Sequence, residues 1–325
     1  MCKYKTGRER GLIMGRLRWN EMLGEWVIIA PSRSDRPFQD EERVCPFCPD
    51  NGETSGNWCV LTLDNKYPAL EPNPEYPPIF SDIIIETAAH GYCKVIVTSR
   101  NHNEQLEDMS KKQVTRVLQE FARVFQELDE KENIKYVAQF ENRGKAVGVS
   151  LNHPHAQVYA LPFIPPKIER EVQQVKKTWE TEERCIVCDA IENERKTGTR
   201  IIKETANYIS CVPFAARLPY EVHVYPRMHV ASLVELEESL EELGEMLQDV
   251  ARRYAAFFEE VAYVMVFHAR PSNGDYPFWH FHIEFYPPWR DKSQRKHLAG
   301  IEKGTGTYTN DSTPECSAKQ LREAI

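Results

Sequence analysis

The sequence contains no apolar run approaching the roughly 18–20 residues that a membrane-crossing helix needs. It also lacks a secretion signal. The N-terminal stretch MCKYKTGRERGLIMGRLRWN is basic but has no apolar h-region. Excess positive charge is missing too: the formal net charge is −8, which excludes a chain-wide basic footprint for nucleic acid. A disulfide framework is excluded on two grounds. Cysteines number nine, an odd count, and nothing marks the chain for an oxidising compartment. These absences leave a soluble chain expected in the cytoplasm, with no membrane and no nucleic-acid partner. Hydrophobic content of 41% and charged content of 28% are ordinary for a globular protein. At 325 residues there is room for two domains, each with its own core.

Four of the cysteines form two C-x-x-C pairs, Cys45/Cys48 and Cys185/Cys188. In a chain without a disulfide framework such pairs point to metal binding or redox chemistry. Cys2, Cys59, Cys93, Cys211 and Cys316 stand alone and read as ordinary small residues.

An internal repeat decides the architecture. KVIVTSRNH (94–102) matches EVHVYPRMH (221–229), and YVAQFENRG (136–144) matches YVMVFHARP (263–271). NHPHAQVYALP (152–162) matches WHFHIEFYPP (279–288), and all three pairs are offset by 127 residues. His102 and His153 are 51 apart, as are His229 and His280. Each copy carries one long amphipathic helix. Val114, Val117, Phe121, Val124 and Leu128 mark the first, and Leu243, Leu247, Val250 and Tyr254 the second. WVIIAP (26–31), CVLTLDN (59–65) and DIIIETA (82–88) read as strands. The expected fold is α+β: two tandem repeats, each an antiparallel sheet with a long amphipathic helix. Residues 1–13 read as a disordered leader or an upstream start, 14–170 as a catalytic repeat and 171–325 as a degenerate one. Around 165–184 the pattern fits a linker or a helix.

Cys45, Cys48, His102 and His153 form a Cys2His2 set, the ligand chemistry and number of a closed structural zinc site. The histidines count against the redox reading. Cys185, Cys188, His229 and His280 occupy the repeat-equivalent places and imply a second zinc.

The stretch F-E-N-R-G-K-A-V-G-V-S-L-N-H-P-H-A-Q (140–157) holds the nucleophile. H-x-H on a strand puts both imidazoles on one face, so a metal-bound His153 fixes His155 beside it. Neutral imidazole is nucleophilic near pH 7 and can attack phosphorus. Gly144, Gly148 and Ser150 precede it in a turn whose N–H groups and hydroxyl suit phosphate oxygens.

H-P-H-A-Q resembles the H-P-H-x-Q signature of the galactose-1-phosphate uridylyltransferase branch of the histidine-triad superfamily. The resemblance runs from about Arg16 to the C-terminus. It implies that His155 forms a covalent uridylyl intermediate and that Gln157 stands where the triad hydrolases carry a third histidine. A glutamine amide can hold phosphate but cannot supply a proton as histidinium does, which suits a transferase. PSRSDRPFQ (31–39) resembles the family's P-x-R-x-x-R-P-[WF] and gives Arg33 and Arg36 a phosphate-binding role. LDNKYPAL (63–70) places Asn65 by the nucleotide, and Asn142 and Ser150 match positions that contact the uridylyl group. RKHLAGIE (295–302) resembles R-K-F-M-V-G-Y-E, so Lys296 matches a sugar-phosphate contact. His297 replaces a phenylalanine, and KGTGTYTND (303–311) replaces a glutamine-containing segment. Some members also bind iron through a glutamate and three histidines. Glu171, His268 and His282 match three of those positions, with Glu284 at the fourth.

The resemblance implies UMP exchange between UDP-glucose and galactose 1-phosphate, zinc, and a homodimer in which Arg33, Arg36 or Lys296 reaches the partner's His155. The alternative within the same fold is an adenylyl-transferring relative, a phosphorylase of ADP-glucose or of diadenosine polyphosphates. A nucleotidyl hydrolase or a zinc-stabilised binding module fits the residues less well.

Overall fold

A computed structural model describes residues 15–35, 44–76 and 84–325. Arg36, Met14 and Cys2 lie outside the described residues, as do the leader 1–13 and parts of the 31–39 and 82–88 segments. The elements of the first half are β1 (Arg16–Asn20), β2 (Glu25–Ile29), β3 (Leu61–Asp64), β4 (Glu86–Ala88), β5 (Tyr92–Val97), α1 (Lys111–Asp129), β6 (Tyr136–Arg143) and β7 (His155–Leu161). A helix α2 (Pro166–Glu182) leads to α3 (Ile186–Thr197), β8 (Ile201–Glu204), β9 (Tyr208–Cys211), β10 (Val222–Pro226) and α4 (Leu240–Phe257). The chain closes with β11 (Tyr263–His268), β12 (His282–Tyr286), α5 (Gly300–Thr305) and α6 (Pro314–Arg322).

The two expected sheets are one. Nine strands run in the order β3-β5-β7-β6-β11-β12-β10-β9-β8, and every pairing between neighbours is antiparallel. The seam lies between β6 and β11, where Tyr263 faces Arg143 and Phe267 faces Gln139. Each half would otherwise leave that strand as an open edge, and pairing the two satisfies both rows of backbone groups. A separate three-stranded sheet, β2-β1-β4, is built from segments that precede the first matched stretch, 94–102.

Both long helices are where periodicity predicts them. Ser110 caps α1 by accepting a hydrogen bond from the Gln113 N–H. Val114, Val117, Phe121, Val124 and Leu128 are buried along one face. Each such side chain contributes about 1.5–3 kcal/mol. In α4, Leu243, Leu247, Val250 and Tyr254 are buried in the same core cluster as the α1 stripe. A β-carbon on Gly244 would lie 2.9 Å from Val114 Cγ1, so this glycine lets the two helices approach closely. The 165–184 segment resolves as helix α2, entered through Pro166 in its first turn, where the missing N–H costs nothing. Among the described residues no helix is long and apolar enough to cross a membrane.

Candidate active site

β7 carries three of the cleft's side chains because its alternation separates two environments. Ala156, Val158 and Ala160 are fully buried in the core cluster that includes α1. His155, Gln157 and Tyr159 point the other way and line a cleft of about 110 Å³ together with Arg33, Asn142 and Ser150. His153 sits in a bend just before the strand, which begins at His155.

Backbone carbonyls set the tautomers. His155 Nδ1 lies 2.8 Å from the His153 carbonyl oxygen, so Nδ1–H donates and the neutral ring carries its lone pair on Nε2. Phe47 packs against the ring at 5.3 Å. Gln157 is buried beside it, and its Oε1 has no hydrogen-bond partner. Arg33 Nη1 donates to the Tyr159 hydroxyl at 2.7 Å and to the Tyr67 carbonyl at 3.2 Å. Asn65 lies one step behind, its Oδ1 accepting from the Tyr67 N–H at 2.9 Å. The turn before β7 is shaped by glycine. Gly144 has φ 87°, and a β-carbon there would meet the Val261 carbonyl oxygen at 2.4 Å. Gly148 has φ 79° and donates to the Lys145 carbonyl at 3.0 Å.

Directly behind this cleft stands the first Cys2His2 set. Its donor atoms all lie within 4.8 Å of one another. His153 Nε2 donates to the Ser99 carbonyl at 2.8 Å, which turns Nδ1 toward Cys45 Sγ at 3.7 Å and Cys48 Sγ at 3.6 Å. His102 Nδ1 lies 3.5 Å from Cys48 Sγ. Burial lowers the His153 pKa and keeps the ring neutral. Burial and the neighbouring Cys45 push the Cys48 thiol up, so a second thiolate there calls for a cation between the sulfurs. Cys185, Cys188, His229 and His280 repeat the arrangement. Cys188 Sγ lies 3.5 Å from His229 Nδ1 and 3.4 Å from His280 Nδ1, with His280 Nε2 on the Pro226 carbonyl and His229 Nε2 on the Pro277 carbonyl. Both sets offer four donors of the type and number that hold a tetrahedral metal ion.

Glu171, His268, His282 and Glu284 form a third group with donor atoms within 4.8 Å. They sit at or beside a cavity of about 620 Å³ in the second half.

Two family models cover almost the entire chain. Galactose-1-phosphate uridyl transferase, N-terminal domain, matches residues 10–165, and the C-terminal domain of the same family matches residues 170–325. The chain belongs to the galactose-1-phosphate uridyl transferase family. It is 37% identical over 317 residues to a galactose-1-phosphate uridylyltransferase of Thermotoga maritima, covering 95% of this chain and 98% of the relative. A solved uridylyltransferase superposes with a TM-score of 0.86 at 32% identity, covering 95% of this chain and 98% of that one. An ADP-glucose phosphorylase from Arabidopsis thaliana, solved with bound ADP-glucose, superposes with a TM-score of 0.74 at 26% identity, covering 94% and 98%.

For this uridyl transferase family member, the residues read from sequence divide into three groups. His155, Gln157, Asn142, Ser150 and Arg33 meet in one cleft, while Asn65 supports it through Tyr67. Arg33 reaches the cleft of its own chain. The cause is the short 3-10 turn Pro31–Asp35 after β2, which brings Arg33 to Tyr159. Lys296 does not line this cleft. Its ammonium is held by Asp311 at 2.9 Å and Glu302 at 3.4 Å. Tyr159 was missed, although it extends the i, i+2 series His155, Gln157. Lys167, His223 and Tyr286, which crowd the third group, were also missed. Tyr286 is the repeat mate of Tyr159, and that was the available signal.

Proposed function

We propose that this chain exchanges UMP between UDP-glucose and galactose 1-phosphate through a covalent uridylyl group on His155. The observation that carries the reading is the carbonyl-locked His155 ring beside the buried amide of Gln157 in a cleft lined by Arg33. The Nε2 lone pair attacks the α-phosphorus of UDP-glucose. The bond from that phosphorus to the bridging oxygen breaks, and glucose 1-phosphate leaves with the electron pair. A phosphate oxygen of galactose 1-phosphate then attacks the same phosphorus, and the N–P electrons return to Nε2. Nδ1–H keeps donating to the His153 carbonyl throughout, which stabilises the positive ring of the intermediate. Both oxygens that leave or enter belong to phosphates, so no general acid is required. Gln157 accordingly serves as an amide donor to a non-bridging oxygen, assisted by Arg33, Asn142 and Ser150. The missing histidine at position 157 argues against a hydrolase.

Zinc at Cys45, Cys48, His102 and His153 would supply rigidity, fixing the carbonyl that orients His155. A second zinc is assigned to Cys185, Cys188, His229 and His280. Catalysis is assigned to residues 14–170, with 171–325 as a degenerate repeat. The reading includes a homodimer in which Lys296, tethered away from its own cleft, contacts sugar phosphate in the partner. Thiol pairs used as ligands suit a reducing compartment, the cytoplasm.

Adenylyl transfer is the second reading, favoured by the similarity to ADP-glucose phosphorylase. One experiment separates them. The protein is incubated with UDP-glucose or ADP-glucose and its peptides are weighed. UMP on the His155 peptide supports the proposal; AMP alone on that peptide overturns the uridylyl reading, and no adduct from either overturns the mechanism.

A further inference from the structure

The third cluster differs from the two Cys2His2 sets in how its nitrogens are used. In those sets His153, His229 and His280 each give one nitrogen to a backbone carbonyl and turn the other toward the sulfurs, and His102 turns its Nδ1 to Cys48 Sγ. His268 instead spends both nitrogens on carboxylates: Nδ1 lies 2.9 Å from Glu171 Oε2, and Nε2 lies 2.9 Å from Glu284 Oε2. A ring that bridges two carboxylates turns no lone pair to a metal. His282 has Nδ1 on the His280 carbonyl at 3.0 Å and Nε2 3.5 Å from Glu284 Oε1. His223 Nε2 adds a contact to the same oxygen at 3.3 Å.

Positive charge already stands among these oxygens. The Lys167 ammonium bonds Glu284 Oε2 and the Tyr286 hydroxyl, and lies 3.7 Å from Glu171 Oε1. Lys167 and Glu171 are one turn apart on α2, so the helix delivers the cation and one carboxylate together. His268 and Glu284 come from the adjacent strands β11 and β12. A divalent ion would have to compete with the ammonium for the same carboxylate oxygens, and like charges a few ångströms apart in a buried site repel strongly. The donor set that some family members use for iron therefore does not fit here. Where the third histidine would stand, Glu284 brings a negative charge that Lys167 neutralises.

We infer that Lys167 takes the place of the metal, and that Glu171, His268, Glu284 and Lys167 form a closed ion-pair lock fastening α2 to β11 and β12. The lock is metal-free in the working protein. This conclusion stands apart from the reaction assigned to His155.

Zinc-replete protein, incubated anaerobically with excess iron(II) and desalted, provides the test. Wild type should retain less than about a tenth of an iron per chain. Lys167→Met leaves the carboxylates without their ammonium and should take up about one iron per chain. Its melting temperature should fall in chelator and recover when iron is added. Lys167→Arg keeps the charge and should stay iron-free. Wild type that retains about one iron per chain overturns the inference. So does a folded Lys167→Met that gains none, since the ammonium would then not be what excludes the metal. Should Lys167→Met fail to fold, the wild-type count decides alone.

Discussion

On β7, His155 turns its Nδ1–H to the His153 carbonyl at 2.8 Å; on β12, His282 does the same to the His280 carbonyl at 3.0 Å. Each ring stands beside a Cys2His2 set of the same geometry. What differs is the residue two places on. Gln157 presents a neutral amide with an unpartnered oxygen, whereas Glu284 presents a carboxylate gripped by His268, His223 and Lys167. The tyrosine two further on also has a different cation: Arg33 on Tyr159 and Lys167 on Tyr286. The same frame thus offers phosphate a donor in one half and an anion in the other. The two halves share the strand frame, a Cys2His2 set and a carbonyl-bound histidine, and they differ at the residue two places on, an amide in one and a paired carboxylate in the other.

The largest expected effect breaks the symmetry at the nucleophile. His155→Ala should lower UMP transfer by about 10⁴-fold or more, with fold and metal content unchanged, because the side chain is not a ligand. His282→Ala should leave the rate within about twofold, since nothing in the proposed reaction passes through it. Steady-state transfer assays on both variants decide the matter. Equal losses would show that the halves share the chemistry.

Next comes the position that distinguishes the halves. Gln157→Glu gives the first site the charge of the second and should cut transfer by about 100-fold or more, mainly in kcat. The covalent intermediate should form slowly in a single-turnover measurement. A variant that keeps its rate within threefold would remove charge at 157 as the discriminating feature.

How much of this was legible follows from which interactions are local. H-P-H-A-Q, the two C-x-x-C pairs and the 127-residue offset are local patterns, and they pointed to the His155 cleft, the two Cys2His2 clusters and the repeat. Long helix stripes were legible because a 3.6-residue period is written along the chain. Fusion into one sheet was not, since the seam between β6 and β11 joins segments more than a hundred residues apart through backbone groups. Register was hidden for the same reason. Sequence offset equates His268 with Glu141, yet β11 pairs His268 with His282, and continuing the β6–β7 register sets Asn142 opposite His155. His268 therefore occupies the place of Asn142, a one-residue slip that only the ladder reveals. Lys167 was invisible as a partner because α2 read equally well as linker.

The metal sets give a smaller and more even effect. Cys45→Ala and Cys185→Ala should each lose about one zinc and lower the melting temperature by on the order of 5–10 °C. Only Cys45→Ala should also slow transfer, because His153 anchors the carbonyl that orients His155. Calorimetry, metal analysis and rate on the same preparations test this. Protein purified without chelator that carries no zinc would sink the assignment of both sets, and an equal loss of rate in the two variants would sink the division of labour.

The smallest effect concerns two buried acids, one in each half. Glu284 is held well below the usual carboxylate range: burial opposes this, but His268 and His223 outweigh it. Glu141, on β6, has no such grip. Burial pushes it up to about 7, with Arg143 pulling it down and Glu107 pushing it up further, while Arg143 itself bonds Glu107. A carboxyl whose folded pKa lies above its unfolded value near 4.5 binds its proton more tightly in the folded state. Stability is then undiminished below the unfolded value and declines as pH rises from about 4.5 to about 7. Glutamine keeps the shape without the charge. Glu141→Gln should therefore match wild type near pH 4.5 and exceed it above pH 7, by on the order of 1–3 kcal/mol. Urea unfolding of both proteins across that range measures the difference directly. A gap that is the same at every pH would mean that folding leaves the Glu141 pKa unshifted, and one that favours wild type at high pH would mean that Glu141 is charged in the folded protein and held by a partner, as Glu284 is.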